Sequence, residues 1–300
     1  MESSLIANAL QVNFDSVLTF PEEGMVKMFK ALESTGLRSF LGCPSVLYEQ
    51  DLEQFFSVAF VRENEVSSSV QGKFVGIFEE KFVGAFELSI AGLIDMTEVP
   101  KDLVYDARCI FSASGEPVKT FCKKREMKFE FRLLNYILAK SVTVKAGSFD
   151  AVTHERFLLM TAIHFGLKIN WIKILFDIFK EMVTKSSKQA KGFAAQICVL
   201  LKGAPNLTLG EAKNFPPLKI LTVKTVGTFP PSINDGMYDD ATRMHGLAHI
   251  IEGVMHVGNL YTLFTLAVSW LELPLMLAHI IGDIKGTVYR DSTLMGHLDT

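Results

Sequence analysis

From the mid-120s to about residue 200, apolar side chains return every three or four positions. This rhythm restricts the chain to a helical scaffold more than any other feature does. Over 125–140, Met127, Phe131, Leu134 and Leu138 fall on one side, and Phe129, Leu133 and Ile137 widen the stripe. Over 153–165, Phe157, Leu158, Ala162 and Phe165 point inward, and Gly166 marks a break. Over 170–184, Trp171, Leu175, Ile178, Phe179 and Met182 line one face behind Asn170, a residue type suited to an N-cap. A shorter helix over 193–202 stops at Gly203. Stripes this wide predict helices packed on more than one side.

Upstream the same spacing is broken into shorter pieces. Pro21, Glu22 and Glu23 suit the first turn of a helix whose apolar face is Met25, Met28, Phe29 and Leu32, with Gly36 at its end. Tyr48 to Phe60 predicts another helix, with Leu52, Phe55, Phe56 and Ala59 on one face. Residues 66–78 change character: Val66, Ser68 and Val70 alternate, then β-branched and aromatic residues run through Phe78. A short hairpin is predicted there. Phe82–Leu93 fits either a short helix or a strand, 101–111 is a helix, and 112–122 is a loop. Pro216, Pro217, Pro230 and Pro231 bracket a β-prone run and set a boundary.

These signals divide the chain into an N-terminal helical extension at 1–34, a main helical domain at 35–213, a Pro-rich linker at 214–236 and an apolar helical tail at 237–300. The predicted fold class is mainly α: a multi-helix domain with one small β-hairpin, followed by a divergent apolar helical C-terminal segment. With 49% hydrophobic residues there is ample area for a core, and most of the 24 phenylalanines are expected inside it. A net charge of -3 gives no global support to nucleic-acid binding. Cys43, Cys109, Cys122 and Cys198 have no metal-knuckle spacing and read as reduced, mostly buried thiols. Met1 to Leu10 lacks a basic region before a long apolar run, so no secretory signal is expected. The expected location is intracellular, in nucleus or cytoplasm, with a membrane as the alternative.

That alternative rests on residues 260–282. They are apolar apart from Glu272 and long enough to span a bilayer at about 1.5 Å per residue. A buried helical hairpin broken at Glu272 and Pro274 is the preferred reading, because a glutamate in lipid is costly.

The chemistry-bearing clusters each have a plain reading. His245, His249, Glu252 and His256 share one helix face, but they spread over about 16 Å, too far for one metal. Only His245 and His249 remain as candidate metal ligands, and an ordinary polar face is preferred. His154 and His164 lack a nucleophile in a setting such as G-x-S-x-G. His154 is expected to be exposed and His164 partly buried. Asp239 and Asp240 lie in a turn-like stretch with no hairpin around them. No phosphate-cradling loop or dinucleotide fingerprint is present. No cofactor, catalytic residue or metal site is therefore assigned. The best nucleic-acid candidate is Lys119, Lys123, Lys124, Arg125 and Lys128 at a helix start, with Glu126 and Glu130 offering partial balance. Lys185, Lys188 and Lys191 make a second basic ridge.

Several segments together resemble the plant transposon protein domain, a family of retroelement-derived plant proteins. They are Leu52-Glu53-Gln54-Phe55-Phe56, Val70-Gln71-Gly72-Lys73-Phe74-Val75, the apolar turn through Phe82, Phe86 and Leu88, and the helix opening at His154 through Met160. Gly166-Leu167-Lys168-Ile169-Asn170-Trp171 and Gly192-Phe193-Ala194 before Leu200-Leu201 complete the pattern, over about 35–210. The resemblance carries no activity. It implies structural positions such as Gly72, Phe74, Gly166 and Trp171, and a non-enzymatic structural or protein-binding domain of mobile-element descent. Its expected partner is another protein or a second copy of itself. A nucleic-acid-binding module using 119–128 and a membrane-anchored protein using 260–282 are the alternatives.

Overall fold

The long apolar stripes become helices that pack around a continuous core, as a computed structural model of the chain shows. It describes residues 9–44, 46–91, 93–144 and 151–226. In chain order the regular elements are β1 (Gln11–Val12), α1 (Phe14–Val17), α2 (Glu23–Leu32), α3 (Arg38–Leu41), β2 (Val46–Leu47), α4 (Glu49–Val58), β3 (Phe60–Arg62), β4 (Glu65–Val70), β5 (Lys73–Phe78) and α5 (Glu79–Phe86). Then come α6 (Lys101–Ile110), β6 (Cys122–Lys123), α7 (Phe129–Ile137), β7 (Ala151–Val152), α8 (His154–His164), α9 (Trp171–Val183), α10 (Ala194–Lys202), β8 (Lys213–Asn214) and β9 (Ile220–Leu221). The described residues are mainly helical, with four small sheets of two or three strands.

Local chemistry explains the helix ends. The Asn170 side chain accepts from Lys173 N at 3.1 Å and starts α9, and Thr153 does the same for α8 through Arg156 N at 3.3 Å. Gly36, with φ 85°, ends the first helical run, and a tight turn then leads into α3. The apolar face of α2 is buried at Met25, Met28, Phe29 and Leu32.

The core is a chain of phenylalanine contacts. Phe193 meets Phe40 edge-on at 5.0 Å, Phe40 meets Phe86 at 5.1 Å, and Phe86 meets Phe82 at 5.6 Å. Phe82 meets Phe179 at 5.4 Å, and Phe179 stacks on Phe55 at 6.0 Å. These rings join α3, α4, α5, α9 and the start of α10. Edge contacts of this kind contribute roughly 0.5–1.5 kcal/mol each beyond the area they bury. Gln196 on α10 donates to Phe40 O at 2.8 Å, which satisfies a carbonyl at the end of α3 inside this core.

The structure differs from the expected boundaries in four places. The hairpin is a three-stranded antiparallel sheet in the order β3-β4-β5. Its third strand uses Phe60–Arg62, because the backbone turns extended at Ala59 and the chain folds back at Glu63 and Asn64. The helix expected from 125 begins only at Phe129. Residues before it are captured by the preceding loop: Ala113 N donates to Glu126 O at 2.9 Å, and Lys128 N to Phe111 O at 2.8 Å. Of Phe82–Leu93, left open between helix and strand, only the part to Phe86 is helical, in α5, which ends at the left-handed Glu87; the described residues from 88 to 93 form neither.

The fourth difference concerns the two ends of the described chain. β9 pairs in parallel with β1, Val12 opposite Leu221, and β8 pairs antiparallel with β2, Val46 opposite Asn214. Val12, Phe14, Phe215, Leu221 and Val226 are all buried in the same core. Residues read as extension and linker thus belong to the main body from 9 as far as 226, tied in by these short strands. The remainder of 214–236 and the tail at 237–300 lie outside the described residues.

The membrane reading is corrected. Among the described residues no helix is long and apolar enough to cross a membrane. Even α9, with 13 residues, is about 20 Å long against a hydrocarbon core of about 30 Å. The stretch 260–282 itself lies outside the described residues.

The strand assignment of β9 has a measurable consequence. Leu221→Ala should cost about 2–5 kcal/mol in urea unfolding of the full chain. Leu218→Ala, three residues earlier and 60% exposed, should stay within about 0.5 kcal/mol. Two silent substitutions would mean that this segment is detached from the core.

Candidate functional site

Strand alternation sorts the residues of the β3-β4-β5 sheet onto two faces. Val66, Ser68 and Val70 of β4 and Val75 and Ile77 of β5 are buried on the inner face. Ser68 Oγ donates to Phe55 O at 2.7 Å and fastens that face to α4. The other parity carries Phe60, Arg62, Glu65, Ser67, Phe74, Gly76 and Phe78. On this outer face Phe60 is 51% exposed, Phe74 70% and Phe78 42%. Large apolar side chains that share one outward face mark an interaction surface more often than an accident of packing.

The sheet holds this face firmly. Gln71 and Gly72 both have positive φ, 52° and 74°, which suits a tight two-residue hairpin turn. Gln71 N donates to Gln54 Oε1 at 2.9 Å, and its side chain donates to Asp51 Oδ1 at 2.7 Å. The other oxygen of the buried Asp51 accepts from Gly210 N at 2.8 Å. One carboxylate therefore ties the hairpin tip, α4 and the 210 loop together. Lys81 Nζ reaches Gly76 O from α5 and secures the middle of β5.

The centre of the outer face is polar and incompletely satisfied. Ser67 stands opposite both Phe60 and Gly76 in the register and is 1% exposed. Its Oγ has no hydrogen-bonding partner, and neither does the buried Glu65 Oε1. The Glu65 carboxylate lies over Gly76, where any Cβ would run into it. Phe74 leans toward the same spot, with its Cε1 3.5 Å from that Cβ position. Arg62 stands opposite Glu65 in the register but leaves Oε1 unpartnered. The site is an aromatic rim around a glycine–serine floor that carries one orphaned carboxylate oxygen.

The other candidates are placed as follows. Of the basic cluster, Lys119, Lys123, Arg125 and Lys128 are exposed, whereas Lys124 is 8% exposed in a turn beside β6. The structure therefore splits the cluster, and its members lie on a strand, a turn and a helix cap rather than along one helix face. On the second ridge Lys191 is spent over the Phe56 ring, 4.9 Å from its centroid. His245, His249, Glu252, His256, Asp239 and Asp240 lie outside the described residues. Among the described residues no group of three or more His, Cys, Asp or Glu could hold a metal.

Cys43, Cys122 and Cys198 are buried free thiols and Cys109 is exposed. Burial pushes Cys43 and Cys198 up to about 12, so neither is a ready nucleophile at neutral pH. An open groove of about 360 Å³ lies between the start of α9 and the start of α5, lined by Glu79, Ile90, Leu93, Asn170, Ile172, Lys173 and Asp177. Its lysine is engaged by Asp95 at 2.9 Å, a contact that holds the Asp95 carboxyl down at about 2.

His154 is exposed at the start of α8. His164, at the other end, sits among Phe111, Phe131 and Phe165, with ring centroids at 5.6, 5.6 and 5.0 Å. The residue is exposed to solvent, not the partly buried one expected, and its ring closes the aromatic cluster at the end of α8.

Comparison of the chain with protein-family models, with curated proteins and with solved structures yields no match. The labels of plant and transposon-derived protein drawn from the family resemblance are corrected by this result, since no family model supports them. The membrane as partner is corrected for the described residues, none of whose helices is long and apolar enough to cross one. Most phenylalanines are in the core as expected, but this aromatic face is not among the sites that the sequence singles out. Its signal was the period of two in β5, where Phe74, Gly76 and Phe78 alternate with Val75 and Ile77.

The setting of His164 predicts a pH dependence. Partial desolvation of the ring and then the charge of Lys128 lower its pKa below 6.5, against a smaller opposing effect of Glu130. The neutral ring is favoured in the folded state, so the unfolded chain takes up the proton first as pH falls. Stability is therefore full above the ordinary value of 6.5 and declines as pH drops through it toward the lowered folded-state value. An NMR titration should place the His164 midpoint below 6.5, and Lys128→Ala should move it upward. A native midpoint at or above 6.5 contradicts this account.

Proposed function

We propose that this chain is a protein-binding domain that docks a partner on the outer face of its β3-β4-β5 sheet. The observation that supports this reading most is the shared outward direction of Phe60, Phe74 and Phe78 on a sheet whose opposite face is buried against helices. A purely structural sheet at the edge of a helical body has no need for three rings in water. Polar residues there would avoid the risk of nonspecific association. The rigid attachment through Asp51, Gln54 and Ser68 favours recognition further, because a preorganised surface loses little entropy on docking. Aromatic side chains are also the residue types that dominate binding energy at the centre of interfaces.

A photo-crosslinking side chain at position 74 of the full chain, in the cells that make it, should give discrete protein adducts. The same group at position 105 should not, since Tyr105 is equally open but lies on α6, away from the sheet. Phe74→Ser should weaken the recovered complex by roughly 2 kcal/mol, about thirtyfold. Adducts that are absent at 74, or equal at both positions, would count against the reading.

A further inference from the structure

We propose that the partner presents a lysine side chain to this face, with its ammonium bound by Glu65 and Ser67 inside the rim of Phe60, Phe74 and Phe78. The inference rests on the protein-binding reading and names the chemistry that the surface selects.

Two independent observations converge on a cation. The first is the pair of orphaned polar atoms. Ser67 is 1% exposed with an unpartnered Oγ, and Glu65 Oε1 is buried without a partner one row away on the same face. A buried acceptor that lacks a donor is unfavourable by roughly 1–3 kcal/mol, and more when it is charged. A donor brought by a partner removes that deficit. The second observation is the rim itself. Aromatic faces carry negative potential and attract cations, most strongly where water is excluded. Phe74 and Phe78 are four residues apart on one strand, so their Cα atoms are roughly 13 Å apart, and Phe60 is two strands across at roughly 10 Å from Gly76. The three rings thus bracket the Ser67–Gly76 floor from different sides.

The floor also discriminates between cations. The two buried acceptors without a partner sit on different side chains, Glu65 Oε1 and the Ser67 hydroxyl one row away. An ammonium is a compact charge whose three donors rotate freely, so it can serve both acceptors at once. A guanidinium is a planar fork matched to two oxygens of the same carboxylate. Gly76 is what makes the approach possible, because a Cβ there would occupy the place of the Glu65 carboxylate. Glu63, Glu79 and Glu80 lie at the Phe78 end of the sheet, while Arg62 opposite Glu65 and Lys81 at Gly76 O are the cations that an incoming ammonium meets beside the floor. Phe74, which is largely in water, turns about its own side-chain torsions to admit the lysine stem, whose methylenes then cover the ring.

The test uses the full chain and two blocked pentapeptides, Ala-Val-Lys-Val-Ala and its acetyl-lysine counterpart. Each is titrated while its own resonances and those of Phe74 are followed by NMR. The lysine peptide should bind at least tenfold more tightly than the acetylated one, should weaken as salt is raised, and should shift the Phe74 ring signals. In E65Q, with an unchanged thermal melt, the preference for the unmodified lysine should disappear. Because the two peptides are compared on the native protein, the central result does not depend on any variant folding. Equal binding of both peptides, abolished by F74S, would overturn the lysine inference and leave the apolar docking face standing. No binding of the lysine peptide would also overturn it, and the crosslinks at position 74 would then decide the fate of the docking face separately.

Discussion

The run of edge-to-face and stacked phenylalanines from Phe193 through Phe40, Phe86, Phe82 and Phe179 to Phe55 is the contact on which the rest of the molecule depends. These rings come from helices spread over more than 130 positions of the sequence, so every contact but that of Phe82 with Phe86 inside α5 is long-range. A flat side chain with a negative face and a positive edge packs at defined angles, which orients the helices that carry it as well as holding them together. The second aromatic group, Phe111 with Phe131, Phe157 and His164, does the same for α7 and α8.

The surface site follows from that core. Phe55 is the last ring of the run, and it is also the residue whose carbonyl receives Ser68 from the sheet. The sheet is therefore seated on α4 by one face only. Its short strands and the pinned tip at Gln71 leave the opposite face outward, and strand alternation then dictates which residues stand on it. Val75 and Ile77 go to the core, and Phe74 and Phe78 go to solvent. The orphaned oxygens of Glu65 and Ser67 sit in the middle of that outward face. Native proteins leave few buried polar groups unpaired, and those they do leave tend to have a use.

Elements whose cause is local are legible in the order of the amino acids. Asn170 caps α9 because a short side-chain acceptor beside the first free N–H groups needs no tertiary help. The apolar faces of α2 and α4 are readable from spacing alone, and so is the presence of a hairpin within 66–78. Elements decided by distant partners are not. β3 exists because Phe60–Arg62 finds β4. The start of α7 shifts to Phe129 because the loop at 111–113 claims the residues before it. Lys124, grouped by proximity in sequence with four solvent-facing basic residues, is turned into the protein by the same loop pairing.

The amino-acid sequence by itself determined that this chain is mainly helical, where α8 and α9 begin and end to within a residue, and that a short hairpin lies within 66–78. Each of these follows from interactions within a few residues. Only the tertiary structure decided that 11–12 and 220–221 are neighbouring strands, and which phenylalanines are core and which are surface. It alone placed Glu65, Ser67 and Gly76 at the centre of an aromatic rim. Those outcomes depend on which face of a strand meets a helix, and that choice is made by packing between segments far apart in the chain.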